Sequence, residues 1–149
     1  TWREHRNTKL FNNCAWKTDG EIDFQLVTGY AEMLSGAVDG NGFNNVHRER
    51  IEDEIKRNGG TSTVIKMEAR TVDSMLREFG VSTVDYMSID CEGAELEILQ
   101  GFDFSKNKCK LISIERNGYD NDNALEYLVA NGYKILGRVC NDIFFESER

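Results

Sequence analysis

Apolar residues alternate with polar ones at Ile22, Phe24 and Leu26 and again at Ile65, Met67 and Ala69, so half-buried strands are expected over residues 21–27 and 64–70. Another strand is expected over 8–16, after what reads as the tail of a helix. Asp19-Gly20 has the composition of a tight turn that would join it to 21–27 as a hairpin. Residues 28–45 are rich in glycine and asparagine and are read as a long irregular loop of the kind that lines sites. In the charged stretch 46–58, Ile51 and Ile55 lie four apart and Gly59-Gly60 follows, the pattern of a surface helix. Thr71 can cap a second helix carrying Val72, Met75, Leu76 and Phe79 at helical spacing and stopping at Gly80.

The rhythm then changes. A strand over 84–90 ends in Asp90, and Ala94, Ile98, Leu99 and Phe102 mark a helix that begins near Glu92. A strand over 110–115 ends in Glu115, followed by a loop and a helix over 124–130 with Gly132 past its end. Strand, helix, strand, helix at this spacing predicts βαβ units and a parallel sheet. Strands over 133–139 and 142–146, joined by Cys140-Asn141, must run antiparallel because the connection is so short. The expected fold is therefore one α/β domain with a mostly parallel sheet and an antiparallel C-terminal strand.

Composition narrows the partners. Of 149 residues 40% are hydrophobic, enough to fill a single core. The 26 acidic and 18 basic residues leave a formal charge of -8 without a long basic run, so nucleic acid is not expected as a partner. No stretch approaches the roughly 20 apolar residues that span a bilayer, and Thr1-Trp2-Arg3-Glu4-His5-Arg6 lacks the apolar centre of a signal peptide. A soluble, cytoplasmic protein without a membrane partner is the expectation. Cys14, Cys91, Cys109 and Cys140 are far apart, and His5 and His47 are the only imidazoles, which is not a zinc pattern. The cysteines are expected to be free thiols behaving as small buried hydrophobes.

In an open parallel sheet, ligands bind beyond the carboxyl ends of the strands. Asp90 and Glu115 occupy two such ends, with Glu92 and Glu95 close behind the first. A purely structural reading competes: Asp90 can cap the following helix, while Glu92 and Glu95 suit its positive end.

The block Tyr86-Met87-Ser88-Ile89-Asp90-Cys91-Glu92-Gly93-Ala94-Glu95-Leu96-Glu97-Ile98-Leu99-Gln100-Gly101 resembles the signature of the FkbM-type methyltransferases, a strand ending in aspartate that runs into an E-G-x-E-L-x-x-L helix. Asn12-Asn13-Cys14-Ala15 is similar to the family's strand beside the adenine. Leu34-Ser35-Gly36-Ala37-Val38-Asp39 resembles one of its loops, and Thr71-Val72-Asp73-Ser74-Met75-Leu76 its helix before the signature. The resemblance implies a Rossmann-like class I methyltransferase fold with S-adenosylmethionine as cofactor. It also implies a hydroxyl of a sugar or other small natural product as acceptor. That fold opens with a strand, a glycine-rich turn and a second strand, for which the sequence has no counterpart. Gly36-x-x-x-Gly40-x-Gly42 neither follows a clear strand nor opens a helix, so the chain is expected to be an N-terminally truncated domain.

Methyl transfer to a hydroxyl needs in-line placement and removal of a proton. On the resemblance, Asp90 would orient the acceptor or touch the cofactor, and Glu92 or Glu115 would be the base, with His47 a lesser candidate. Asn13, Ala15, Trp16, Asp90 and Gly93 would border the cofactor, although Trp16 reads equally as core. Gly93 has two possible uses, a positive φ or close approach of a ligand, and its polar surroundings favour close approach. No metal site is expected. Two other functions stay open: a methyltransferase-like binding module without catalysis, and a metal-dependent phosphoryl-transfer enzyme that uses the acidic strand ends.

Overall fold

The computed structural model describes residues 8–40, 45–116 and 122–148. The helix tail expected before Thr8, Gly42 of the glycine cluster and residues 117–121 of the loop after Glu115 lie outside them. Among the described residues the architecture is mixed α/β, with two four-stranded sheets and four α-helices.

The first sheet holds β1 (Cys14–Ala15), β2 (Gly20–Val27), β3 (Gly36–Ala37) and β4 (Ser62–Arg70) in the order β1-β4-β2-β3. The expected hairpin between β1 and β2 does not form. Instead β4 lies between them, parallel to β1 and antiparallel to β2. Strand length explains the choice, because β1 has only two residues whereas β2 and β4 pair continuously from Gly20↔Ala69 to Val27↔Ser62. That register sets Ile22 opposite Met67 and Phe24 opposite Ile65, joining the two alternating apolar faces. Asp19 still turns the chain, but its Oδ1 accepts from the Thr71 amide at 2.6 Å and so ties the turn to the end of β4.

The stretch read as irregular is more ordered than expected. Gly29–Leu34 is a 3-10 helix, in which residues three apart lie above one another, and it thereby buries Ala31 and Leu34 together. They meet Val27 and Ile51 in a small second core, with Ile55 packed alongside. Ile51 and Ile55 come from α1 (Asn45–Asn58), the expected surface helix. Next, α2 (Val72–Glu78) begins as foreseen, the Thr71 hydroxyl accepting from the Ser74 amide at 3.0 Å.

The second sheet contains β5 (Thr83–Ile89), β6 (Lys108–Glu115), β7 (Tyr133–Val139) and β8 (Asp142–Ser147) in the order β5-β6-β8-β7. Here β5 and β6 are parallel, while β8 is antiparallel to both neighbours, as the short connection at Cys140 requires of β7 and β8. The expectation of a mostly parallel sheet is corrected: only β1–β4 and β5–β6 are parallel pairs, and the other four are antiparallel. The reason is the position of β8, which inserts between β6 and β7, together with the long β2–β4 ladder.

Ile89, Ile112, Ile114 and Phe145 form one face of this sheet's contribution to the main core. Leu99 of α3 (Glu95–Gln100) and Leu128 of α4 (Asp122–Ala130) pack there too, with Phe102 just beyond α3. Burial of such a side chain contributes about 1.5–3 kcal/mol. Of the free cysteines, Cys109 is buried and Cys14 half-buried as expected, but Cys91 and Cys140 are exposed because both fall in turns. None of the helices is long and apolar enough to cross a membrane, among the described residues.

Candidate active site

Buried Ile89 fixes the end of β5, and Asp90 leaves the sheet directly after it. The helix expected near Glu92 starts only at Glu95, because residues 91–94 form a tight turn closed by the Ala94 amide donating to the Cys91 carbonyl at 3.3 Å. Both central residues are left-handed, Glu92 with φ 48° and Gly93 with φ 96°. Such values suit glycine and strain glutamate. Gly93 therefore has a conformational reason to be glycine, where its polar surroundings favoured close approach of a ligand.

Glu95 is completely buried at the start of α3. Its Oε1 accepts from the amides of Cys91 at 3.1 Å and Gly93 at 3.3 Å, reaching back to hold the turn from beneath. The N-cap of α3 is Ala94, with no side-chain capping bond, so Asp90 does not act as the cap considered from the sequence.

In front of the turn lies a cavity of about 600 Å³. Asp90, Cys91, Glu92 and Ala94 line one side; Asn12, Asn13, Cys14 and Ala15, along β1 and just before it, line another. Ser35, just past the 3-10 helix, and Gly36 of β3 close it from a third side, and Phe24, Met33 and Met67 make an apolar bed. The structure thus brings Asn13, Ala15, Asp90 and Glu92 together around one space. Gly93 is buried within the turn, and Trp16 is 4% exposed in the main core, outside the lining residues. In the sequence, Phe24 and Met67 read only as strand-face residues. Their inward alternation was the signal that could have found them, whereas the three-residue period that positions Met33 lay hidden in an apparent loop.

Glu115 ends β6 opposite Asp142 of β8. Burial, a hydrogen bond with the Asp90 carboxyl, and the charges of Asp90, Glu92 and Asp142 push it up to about 7. Two carboxyl groups in contact cannot both ionise freely, so the pair tends to hold a proton between them. Burial likewise raises Glu92, an effect opposed by Arg50 of α1. Although Cys91 as a whole is exposed, its thiol is sheltered from solvent, and that burial together with the Glu95 charge pushes it up to about 12, which makes it a poor nucleophile.

His47 is fully buried, and its Nε2–H donates to the Leu34 carbonyl at 2.9 Å. Burial lowers its pKa, which keeps the ring neutral. It serves as a strut for the 3-10 helix that carries Met33, with no place among the lining residues. Among the described residues, no group of three or more His, Cys, Asp or Glu is arranged to hold a metal ion.

An α/β protein with carboxylates on adjacent strand tips, facing a cleft with an apolar bed, has the form of a protein that binds a small molecule. The family model for the methyltransferase FkbM domain matches residues 3–135. The chain belongs to the FkbM methyltransferase family. No curated protein and no solved structure matches it.

Proposed function

We propose that this protein transfers a methyl group from S-adenosylmethionine to a hydroxyl oxygen of a sugar or another small natural product. The reading rests on the Asp90–Glu115 carboxyl pair, whose Asp90 lines the cavity and whose Glu115 is pushed up to about 7. A general base works best when its pKa lies near the working pH.

The cavity residues fit the cofactor. About 600 Å³ is within the range of sites that enclose a drug-sized ligand, and its mixture of apolar side chains with the Asn12 and Asn13 amides suits an adenosyl group. The carboxylates of Asp90 and Glu92 attract a cationic sulfonium. Bound there, S-adenosylmethionine supplies an electrophilic methyl group on a positively charged sulfur. Asn13 and Ala15 would border its adenine, Trp16 would back that wall from the core, and the turn at Gly93 would hold its methionine end.

Asp90 accepts a hydrogen bond from the acceptor hydroxyl and orients its oxygen. As the oxygen attacks, that proton passes to Asp90 and is shared with the ionised Glu115 carboxylate in contact with it, so the pair together serves as the base. Glu92, on the other side of Asp90, keeps the local field negative. The test is methyl transfer to a panel of hydroxyl acceptors by the intact protein, measured across pH. Activity should rise through about pH 7 as Glu115 loses its proton. Glu115→Gln should remove that limb. A protein that binds S-adenosylmethionine but methylates no acceptor at any pH would instead be a binding module.

A further inference from the structure

We infer that Glu95 is a positioning residue that works through the backbone: by holding the Cys91 and Gly93 amides it keeps the strained turn closed and so aims Glu92 at the Asp90–Glu115 pair. This inference rests on the proposed role of that pair, but its central test does not require catalysis.

Three observations carry it. The turn contains a glutamate in the left-handed region, at φ 48°, which is costly unless its surroundings hold it there. The closing Ala94–Cys91 hydrogen bond is long, at 3.3 Å, so it is a weak restraint by itself. Glu95 adds two acceptor contacts to the same turn, at 3.1 and 3.3 Å, from a side chain with no exposed surface. Among the described residues, its other oxygen, Oε2, has no hydrogen-bond partner.

Placing a carboxyl there costs stability, since a buried acid with one oxygen unserved is poorly solvated. Burial accordingly raises its pKa, helped by the Asp90 charge. Among the described residues, the hydrogen bonds it gains in return beyond its own backbone are those from the two turn amides. From above, the turn abuts the glycine loop: a Cβ on Gly40 would come within 3.2 Å of the Gly93 carbonyl oxygen. Glu95 from below and Gly40 from above thus fix the turn between them. Substituting Glu95 should leave the sheet intact and release the direction of Glu92.

Glu115 reports that direction. The strongest charges on it are those of Asp90 and Glu92 from the turn and of Asp142 from β8, ahead of Glu95. Removing the Glu95 charge therefore moves Glu115 less than swinging Glu92 away, which lowers its pKa. The experiment is a carbon-13 NMR titration of the Glu115 carboxyl in the ligand-free protein with Glu95→Gln, Glu95→Asp and Glu95→Ala. Gln keeps an acceptor oxygen at the same reach; Asp keeps the charge but withdraws the oxygen by one methylene.

The Glu115 midpoint should stay close to the parent value in Glu95→Gln and fall by about half a pH unit or more in Glu95→Asp and Glu95→Ala. The Cys91 and Gly93 amides should lose hydrogen-exchange protection in the same two variants. If Glu95→Ala does not fold, the Gln and Asp pair decides alone. A midpoint that falls equally in Glu95→Gln, or does not move in Glu95→Asp, overturns the inference. If the titrations behave as expected while no variant and no parent protein transfers methyl groups, the positioning role stands and the proposed function falls.

Discussion

Gly93→Ala puts the unusual backbone of the turn to a quantitative test. At φ 96° the residue lies beyond the left-handed minimum near +57°, in territory that alanine enters at a cost of about 1–2 kcal/mol. Alanine also restricts the unfolded chain, which returns about 0.4–1 kcal/mol. The net loss is about 1 kcal/mol. For a chain of this length each kcal/mol moves the melting temperature by about 4 °C, so Gly93→Ala should melt about 4 °C below the parent. Glu92→Gly is the matched control. Glu92, at φ 48°, sits close to the left-handed minimum, and the strain that glycine relieves there nearly equals the unfolded-state entropy that glycine adds, so its melting temperature should stay within about 2 °C. Scanning calorimetry of both variants, followed by S-adenosylmethionine titration, separates backbone strain from contact with a ligand. A Gly93→Ala protein that melts within about 1 °C of the parent would refute the strain estimate. If it also lost cofactor affinity, close approach would be the better account of the glycine.

Four further outcomes are expected. Asp90→Asn should reduce methyl transfer at least tenfold while the melting temperature changes by no more than a few degrees, because the substitution keeps the shape of an exposed side chain; unchanged turnover would remove Asp90 from the reaction. Glu115 holds its proton more tightly folded than at its ordinary value of 4.5, so its contribution to stability is fully present below pH 4.5 and is lost as pH rises through about 7. Calorimetry between those limits should show a shallower decline in Glu115→Gln than in the parent. Gly101→Ala should destabilise the fold by about 1–3 kcal/mol, because the added carbon collides with the Trp16 carbonyl oxygen; a normal denaturation midpoint would contradict that packing. His47→Ala removes a buried ring and its bond to Leu34, and should cost about 2–4 kcal/mol near pH 8 by urea denaturation, a loss that shrinks as pH falls towards 6 because burial lowers the folded pKa and only the unfolded parent gains the proton there.

Elements with strong local signals were legible in the sequence. The alternation at Ile22, Phe24 and Leu26 locates β2, the Thr71 hydroxyl marks the start of α2, and Cys140-Asn141 dictates that β7 and β8 run antiparallel. Pairing between distant segments was not legible. A strand of two residues such as β1 has no periodicity, and no local feature tells it to lie beside β4 rather than beside the next strand along. The acidic cluster was visible as strand-end carboxylates, so Asp90, Glu92 and Glu115 could be named from spacing. The role of Glu95 was hidden for a physical reason: glutamate in the first turn of a helix already has an electrostatic explanation, and only the three-dimensional turn reveals that its oxygen faces the chain before the helix.

The alternative that these carboxylates merely stabilise a helix start meets a physical difficulty. A sequence under pressure for stability alone would cap α3 with serine or aspartate at residue 94. Instead Ala94 makes no side-chain cap, Glu95 is buried with an oxygen unserved among the described residues, and Glu115 is driven towards neutrality by its neighbours. Each departure costs stability, and all three meet, beside the left-handed Glu92, at one end of β5 and β6. Strain concentrated at strand tips beside a cavity is what selection for chemistry leaves behind. Its negative sign also bears on the proposed methyl donor, whose cationic sulfonium these carboxylates attract.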